Sequence, residues 1–253
     1  LQDPILLEAG VTIDLENPVL GKIRQPNRYL SIKGSNVSSP ELVSSSLIEG
    51  DVDWMSEKKD VPKKIASLSQ NSLLNGIKVI DLSNIIAGPA AGRTLAEFGA
   101  EVIRVDSPAP FAGPYATMWF GVDVNQGKRA IILDLKTEKG KKVLSSLVKK
   151  SDVVLHNFLD SSAEKMGISY EQLQQIKPDI ISCQISAWGG VNGGPYKDDP
   201  SFDPVLQAAS GIMARYGSSE RPALHGIASC VDYMTGFLAV NGIVQALIAK
   251  NNG

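Results

Sequence analysis

From Gly76 onward, short runs of β-branched apolar residues alternate with longer segments whose apolar residues recur at helical spacing, and nothing else in the chain constrains its fold as tightly. The runs are KVIDL (78–82), EVIRV (101–105), AIILDL (130–135), DVVL (152–155) and DIISCQI (179–185). Between them, 90–98 brings Leu95 and Phe98 to one side of a helix. Segment 137–150 aligns Val143, Leu144, Leu147 and Val148, with Lys139, Lys141, Lys142 and Lys149 outside, and 171–176 is a shorter case. The runs start roughly 20 to 30 residues apart, as right-handed βαβ crossovers require. The pattern predicts an α/β fold, a Rossmann-like doubly wound and mostly parallel sheet. After 185 come a Gly/Pro loop (WGGVNGGPYKDDP), a helix near 203–215, a turn, and a long helix from about 232 to 250.

The chain is organised in three parts. Residues 1–33 carry a short β-like pattern (GVTIDLENPVLGKIRQP), and 34–74, rich in Ser, Lys and Asp, reads as a linker with room for one short helix. Residues 75–253 hold the α/β unit. The first residue is Leu1, so the chain reads as an excerpt of a longer one; LQDPILLEAG is acidic where a signal peptide is basic. The apolar stretch 234–249 is interrupted by Thr235, Asn241 and Gln245 and reads as a buried helix, so no membrane partner is expected.

Composition removes several classes. A 43% hydrophobic content excludes a disordered chain, and a net charge of −2 argues against a nucleic-acid partner. Two cysteines make no disulfide framework and point to a reducing, cytoplasmic setting; with two histidines they give no expected metal site. His156 and His225 have no Ser or Cys partner in a nucleophile motif. Cys183 reads as a core residue and Cys230 as half-buried.

Four places can carry chemistry. The first strand leads into SNIIAGPAAG (83–92) and a helix, whose N-terminus either faces a phosphate or merely closes a tight βα turn. The loop has neither G-x-G-x-x-G nor a Walker spacing, so NAD and ATP are poorly supported. Lys128 and Arg129, with Lys136, flank the third strand as either phosphate partners or solvated charges. Asn157-Phe158 ends the fourth strand as an amide and ring for a ligand, or as an ordinary turn. Asp232 opens the last helix, where free N–H groups and the helix dipole stabilise a carboxylate. It is either a nucleophile or an N-cap.

These strings resemble those of the class III CoA-transferases, which include formyl-CoA transferase and carnitine CoA-transferase, with α-methylacyl-CoA racemases as relatives. The likeness runs from Leu74 to Lys250. It is carried by GIKVIDLSNIIAGPAAGRTLAEFGAEVIRVDSP, GKRAIILDLKTEKGKKVL, SDVVLHNF, AEKMGISYEQLQQIKPDIISCQISAWGGVNGGPY, SFDPVLQAASGIM and VDYMTGFLAVNGIVQAL. The resemblance implies a Rossmann-like domain that binds coenzyme A as substrate and product, with no permanently bound cofactor. Asp232 matches the family's nucleophile, which forms a mixed anhydride and then an aspartyl-CoA thioester. Ile86, Ala87, Leu133, Lys136, Asn157, Phe158, Lys165 and Met166 match positions that contact coenzyme A. The implied partners are acyl-CoA and carboxylate substrates and a second half, in an interlocked homodimer or within one chain.

The chain also departs from its relatives. Phe202 stands where the racemase branch has an acid/base His, Ile86 where formyl-CoA transferase has Gln, and His156 where an acidic residue is usual. The segment ENPVLGKIRQPNRYLSIKGS resembles the family's carboxy-terminal tail, as in a tandem of two transferase halves. The family's small domain and glycine-rich closing loop would come after this segment. Two other roles stay open: a racemase or lyase-type activity, and a non-catalytic half that only binds coenzyme A.

Overall fold

The computed structural model describes residues 4–8, 10, 12–17, 21–26, 73–109, 118–190, 194–226 and 229–252. A short helix, α1 (Pro4–Glu8), precedes an antiparallel hairpin of β1 (Thr12–Asn17) and β2 (Gly21–Pro26). The hairpin coincides with the β-like pattern expected there, and Lys22 and Arg24 both pair with Asp14 across it. The linker expected over 34–74, with its short helix, lies outside the described residues except for its last two.

Each of the five apolar runs forms a strand: β3 (Lys78–Asp81), β4 (Glu101–Asp106), β5 (Arg129–Ile132), β6 (Val153–His156) and β7 (Ile181–Gln184). All pair in parallel, in the order β5-β4-β3-β6-β7. The order reverses between β3 and β6, so their carboxyl ends form the switch point at which such sheets place ligands. β6 is buried along its whole length, while edge strand β5 leaves Ile132 open to solvent.

Helices cover both faces. α4 (Glu138–Val148), α5 (Asp160–Met166) and α6 (Tyr170–Ile176) flank one face, where Leu144, Val148, Ala163 and Leu173 join Ile80 and Val154 in one cluster. On the other, α2 (Ala87–Glu97) and α9 (Cys230–Asn252) bring Leu95, Ala239, Val240 and Ile243 onto Val79, Val102 and Leu155. Local signals set the helix ends: Thr137 caps α4, Ser169 and Gln172 form a capping box on α6, and α5 stops at left-handed Gly167.

Four details differ from the expected pattern. Helices α3 (Met118–Val124) and α5 have no counterpart in it, being too short for a clear periodicity. The single helix expected near 203–215 is two, α7 (Asp203–Ala209) and α8 (Ile212–Tyr216), parted at Ser210-Gly211. Among the described residues α9 is the one helix long and apolar enough to cross a membrane. It packs through Gly236, Ala239, Val240, Gly242 and Ile243 and leaves Met234, Phe237 and Ile248 exposed, so the stretch is buried along one face only.

Candidate active site

The loop between β3 and α2 is held from several sides. Ser83 donates through its N–H (3.0 Å) and its hydroxyl to Asp81 Oδ1. The N–H of Asn84 donates to Asn157 Oδ1 and the carbonyl of Asn84 accepts from Asn157 Nδ2, each at 2.9 Å. Between these anchors and the helix, Ile85 takes φ 69°, a left-handed conformation rarely adopted by a β-branched residue. Ile86 and Ala87 come next, both buried.

Neither reading offered for Lys128 holds, whereas Arg129 is exposed, as a solvated charge would be. The side chain of Lys128 is only 1% exposed, and its Nζ lies 2.7 Å from Asp81 Oδ2, 2.8 Å from the Pro89 carbonyl and 3.1 Å from Asn125 Oδ1. Burial pulls its pKa down, against the opposing pull of Asp81. A Cβ at Gly92 would collide with this pair, so the helix passes close only because that side chain is missing. Arg129 pairs with Glu101, and a second buried pair, Arg104–Asp106, lies on β4 at 2.7 Å. Lys128 and Arg129 are therefore paired with the sheet's own carboxylates, while Lys136 stays exposed.

Asp232 lies in the first turn of α9. Gly236, one turn on and so on the same helical face, sits directly on α2: a Cβ there would be 2.7 Å from the Ala87 carbonyl. Tyr233 packs against the buried cluster of Ile86, Ala90 and Val124, as Ile85 does, and its hydroxyl donates to Asp123 Oδ2 at 2.7 Å, a carboxylate also held by Arg93 at 2.5 Å. The start of α9 is thereby fixed over the loop at the strand tips.

The anion that caps this helix is Asp203, 5% exposed, at the start of α7. Its Oδ2 accepts from the N–H groups of Val231 (2.8 Å) and Asp232 (3.2 Å), and its Oδ1 accepts from Gln207 Nε2. Gln207 in turn bonds the main chain of His225 in both directions. Asp232 is thus not the cap. Burial, and next the charge of Asp203, push its pKa up to about 6, outweighing the stabilisation expected from the helix terminus. Sequence reasoning missed Asp203 and singled out its neighbour Phe202, which is 56% exposed.

Of the other positions expected to touch coenzyme A, three fall on the opposite face of the sheet. Leu133, Phe158 and Met166 pack against one buried cluster. Lys136 and Lys165 are exposed. Asn157 is half-buried, and its carboxamide is committed to Asn84. His156, 3% exposed, stacks with Phe158; its Nδ1 has no partner, and burial lowers its pKa to about 4. Cys183 is partly buried, its pKa pushed up to about 12, and Cys230 is partly exposed. Among the described residues, no cluster of three or more His, Cys, Asp or Glu could hold a metal ion.

Comparison with known proteins matches residues 74–253 to the model of CoA-transferase family III. The CoA-transferase/lyase DddD of Marinomonas sp. (strain MWYL1) is 27% identical over 96% of this chain and 30% of its own length. The succinate–glutarate CoA-transferase of Agrobacterium fabrum is 35% identical, over 69% of this chain and 47% of its own. A crystal structure of a CaiB/BaiF family protein from Brucella suis superposes with a TM-score of 0.63 and 34% identity, covering 72% of this chain and 51% of that one. The chain thus spans about half, or less, of the length of these relatives.

Proposed function

Because the chain belongs to CoA-transferase family III, we propose that it serves to move coenzyme A from an acyl-CoA thioester to a carboxylic acid, with Asp232 as the nucleophile. The observation that carries this reading is a half-buried carboxylate, made more basic than usual, at a helix start fixed over the strand tips. A pKa near 6 leaves it ionised at neutral pH, and its desolvation makes the anion more reactive.

An oxygen of Asp232 attacks the thioester carbonyl carbon. The C–S bond breaks, coenzyme A leaves as its thiolate, and an acyl-aspartyl anhydride remains. The thiolate then attacks the aspartyl carbon and releases the donor as a carboxylate, leaving an aspartyl-CoA thioester. The acceptor carboxylate displaces the thiolate from that thioester, forming a second anhydride. Attack of the thiolate on the acceptor's acyl carbon gives the new acyl-CoA and restores Asp232. Each step exchanges one activated acyl bond for another, so no nucleotide is consumed.

The coenzyme is held along the rim of Leu133, Phe158 and Met166. Lys136 and Lys165 stand beside that rim to meet its phosphates, and Ile86 and Ala87 bound the reacting end. Phe202 has no proton to move, and His156 is buried on the face of the sheet opposite α9. Both favour transfer over racemisation. The alignment with DddD, which runs through hairpin and α/β unit alike, supports a tandem arrangement in which this unit pairs with a second transferase half. The apolar outer face of α9 suits such pairing.

Incubating the intact protein with succinyl-CoA and then hydroxylamine should place a hydroxamate on Asp232, read by peptide mass spectrometry, and Asp232→Asn should abolish both label and transfer. Transfer that persists without label on Asp232, or in Asp232→Ala, would reject the assignment. In the latter case the unit is a non-catalytic half.

A further inference from the structure

We infer that the side chain of Asn157 is a latch on the active-site loop. Its carboxamide, bonded through both atoms to the main chain of Asn84, holds the loop that leads into residues 85–87, on which the start of α9 packs through Tyr233 and Gly236. This role rests on the function proposed above.

The two residues belong to the loops that leave β3 and β6, the strands on either side of the switch point. The latch therefore spans the crevice in which a doubly wound sheet binds its ligand. A carboxamide suits the task because it offers one acceptor and one donor side by side, matching the N–H and carbonyl of a single residue. The Asn84 carbonyl lies in the peptide plane from which φ of Ile85 is measured. Fixing that plane favours the left-handed conformation of Ile85, which a β-branched residue would otherwise leave for an ordinary one.

The flanking supports do not reach this bend. Asp81 holds Ser83 before it, and Lys128 holds the Pro89 carbonyl beyond it. Immediately past the bend lies Ile86, in the cluster against which Tyr233, the neighbour of Asp232, packs. Release of the latch would thus shift the wall against which the thioester meets its nucleophile. A direct contact would act differently: its loss weakens coenzyme binding and leaves the bound complex competent.

The test uses Asn157→Ala and Asn157→Asp in the intact protein. The Asp variant keeps the acceptor but sets a carboxylate against the Asn84 carbonyl, and it gives a second reading should the Ala variant fold poorly. A latch predicts that Asp232 hydroxamate formation from saturating succinyl-CoA slows by about tenfold or more, while the Kd of coenzyme A changes by less than about threefold. It also predicts amide hydrogen exchange at least about tenfold faster at 84–87 in the unliganded protein. A Kd raised by about tenfold, with the saturated rate and the exchange unchanged, would overturn it in favour of a contact. Wild-type protein that forms no hydroxamate would reject the proposed function instead. Exchange at 84–87 would then decide the latch alone, and unchanged protection in both variants would refute it.

Discussion

Asp203 and Asp232 are two carboxylates at one helix start with different surroundings. Asp203 collects two main-chain N–H groups and the Gln207 amide, whereas Asp232 has burial and a like charge against it. Replacing Asp203 with Asn removes that charge and so lowers the Asp232 pKa, moving the acid limb of hydroxamate formation from about 6 toward the ordinary carboxylate value. The same variant leaves the Gln207 N–H facing an amide, which costs about 1–2 kcal/mol of stability by urea unfolding. A limb that stays at 6 would mean that burial alone sets the value. None of this is legible in the sequence, because Asp203 and Asp232 lie 29 residues apart and meet only through the packing of α7 on α9. Lys128 escapes a sequence reading for a similar reason: its partner Asp81 lies 47 positions away. Asp232 itself stands out because its place in the first turn of a long helix is a local property.

The elements that position the site are mostly readable. All five strands are β-branched apolar runs, and α2, α4, α6 and α9 carry an apolar stripe or a long, largely apolar stretch. The short helices α3 and α5 span seven residues each, too few for a period to declare itself, and depend on tertiary contacts. Where α9 crosses α2 cannot be read at all, since Gly236 is one of many glycines until the Ala87 carbonyl is seen against it. Gly236→Ala measures that crossing. Alanine gains about 1 kcal/mol in helix propensity, but its Cβ would meet a main-chain carbonyl that cannot rotate away. Overpacking of this kind costs about 1–3 kcal/mol, so the expected outcome is a net loss near 1 kcal/mol in urea unfolding, with slower labelling of Asp232 as α9 is lifted. A raised Tm would show that the two helices have room to spare.

For the whole molecule, two groups shifted into the range between pH 4 and 6, on opposite faces of the sheet, act against each other as pH changes. His156 has a folded pKa near 4, below its unfolded value near 6.5, so its contribution is full above 6.5 and is lost as pH falls toward 4. Asp232 has a folded pKa near 6, above its unfolded value near 3.8, so its contribution is full below 3.8 and is lost as pH rises through 6. Over about pH 4.5 to 6.5 the two trends oppose, and the stability of the wild-type protein should vary little there. Asp232→Asn removes one of them. At about pH 7.5 the variant should be more stable by about 1–2 kcal/mol, a figure already reduced because the group is partly exposed. From about pH 6.5 to 4.5 it should lose stability steadily, by about 2 kcal/mol, as His156 is forced to charge in the core. Thermal unfolding at half-unit pH steps, wild type beside variant, reads both effects at once. Parallel curves would mean that Asp232 is not held away from its ordinary pKa. If the curves diverge as expected, the carboxylate proposed to open the thioester is one that the fold would be more stable without, as expected of a group kept for its chemistry rather than for packing.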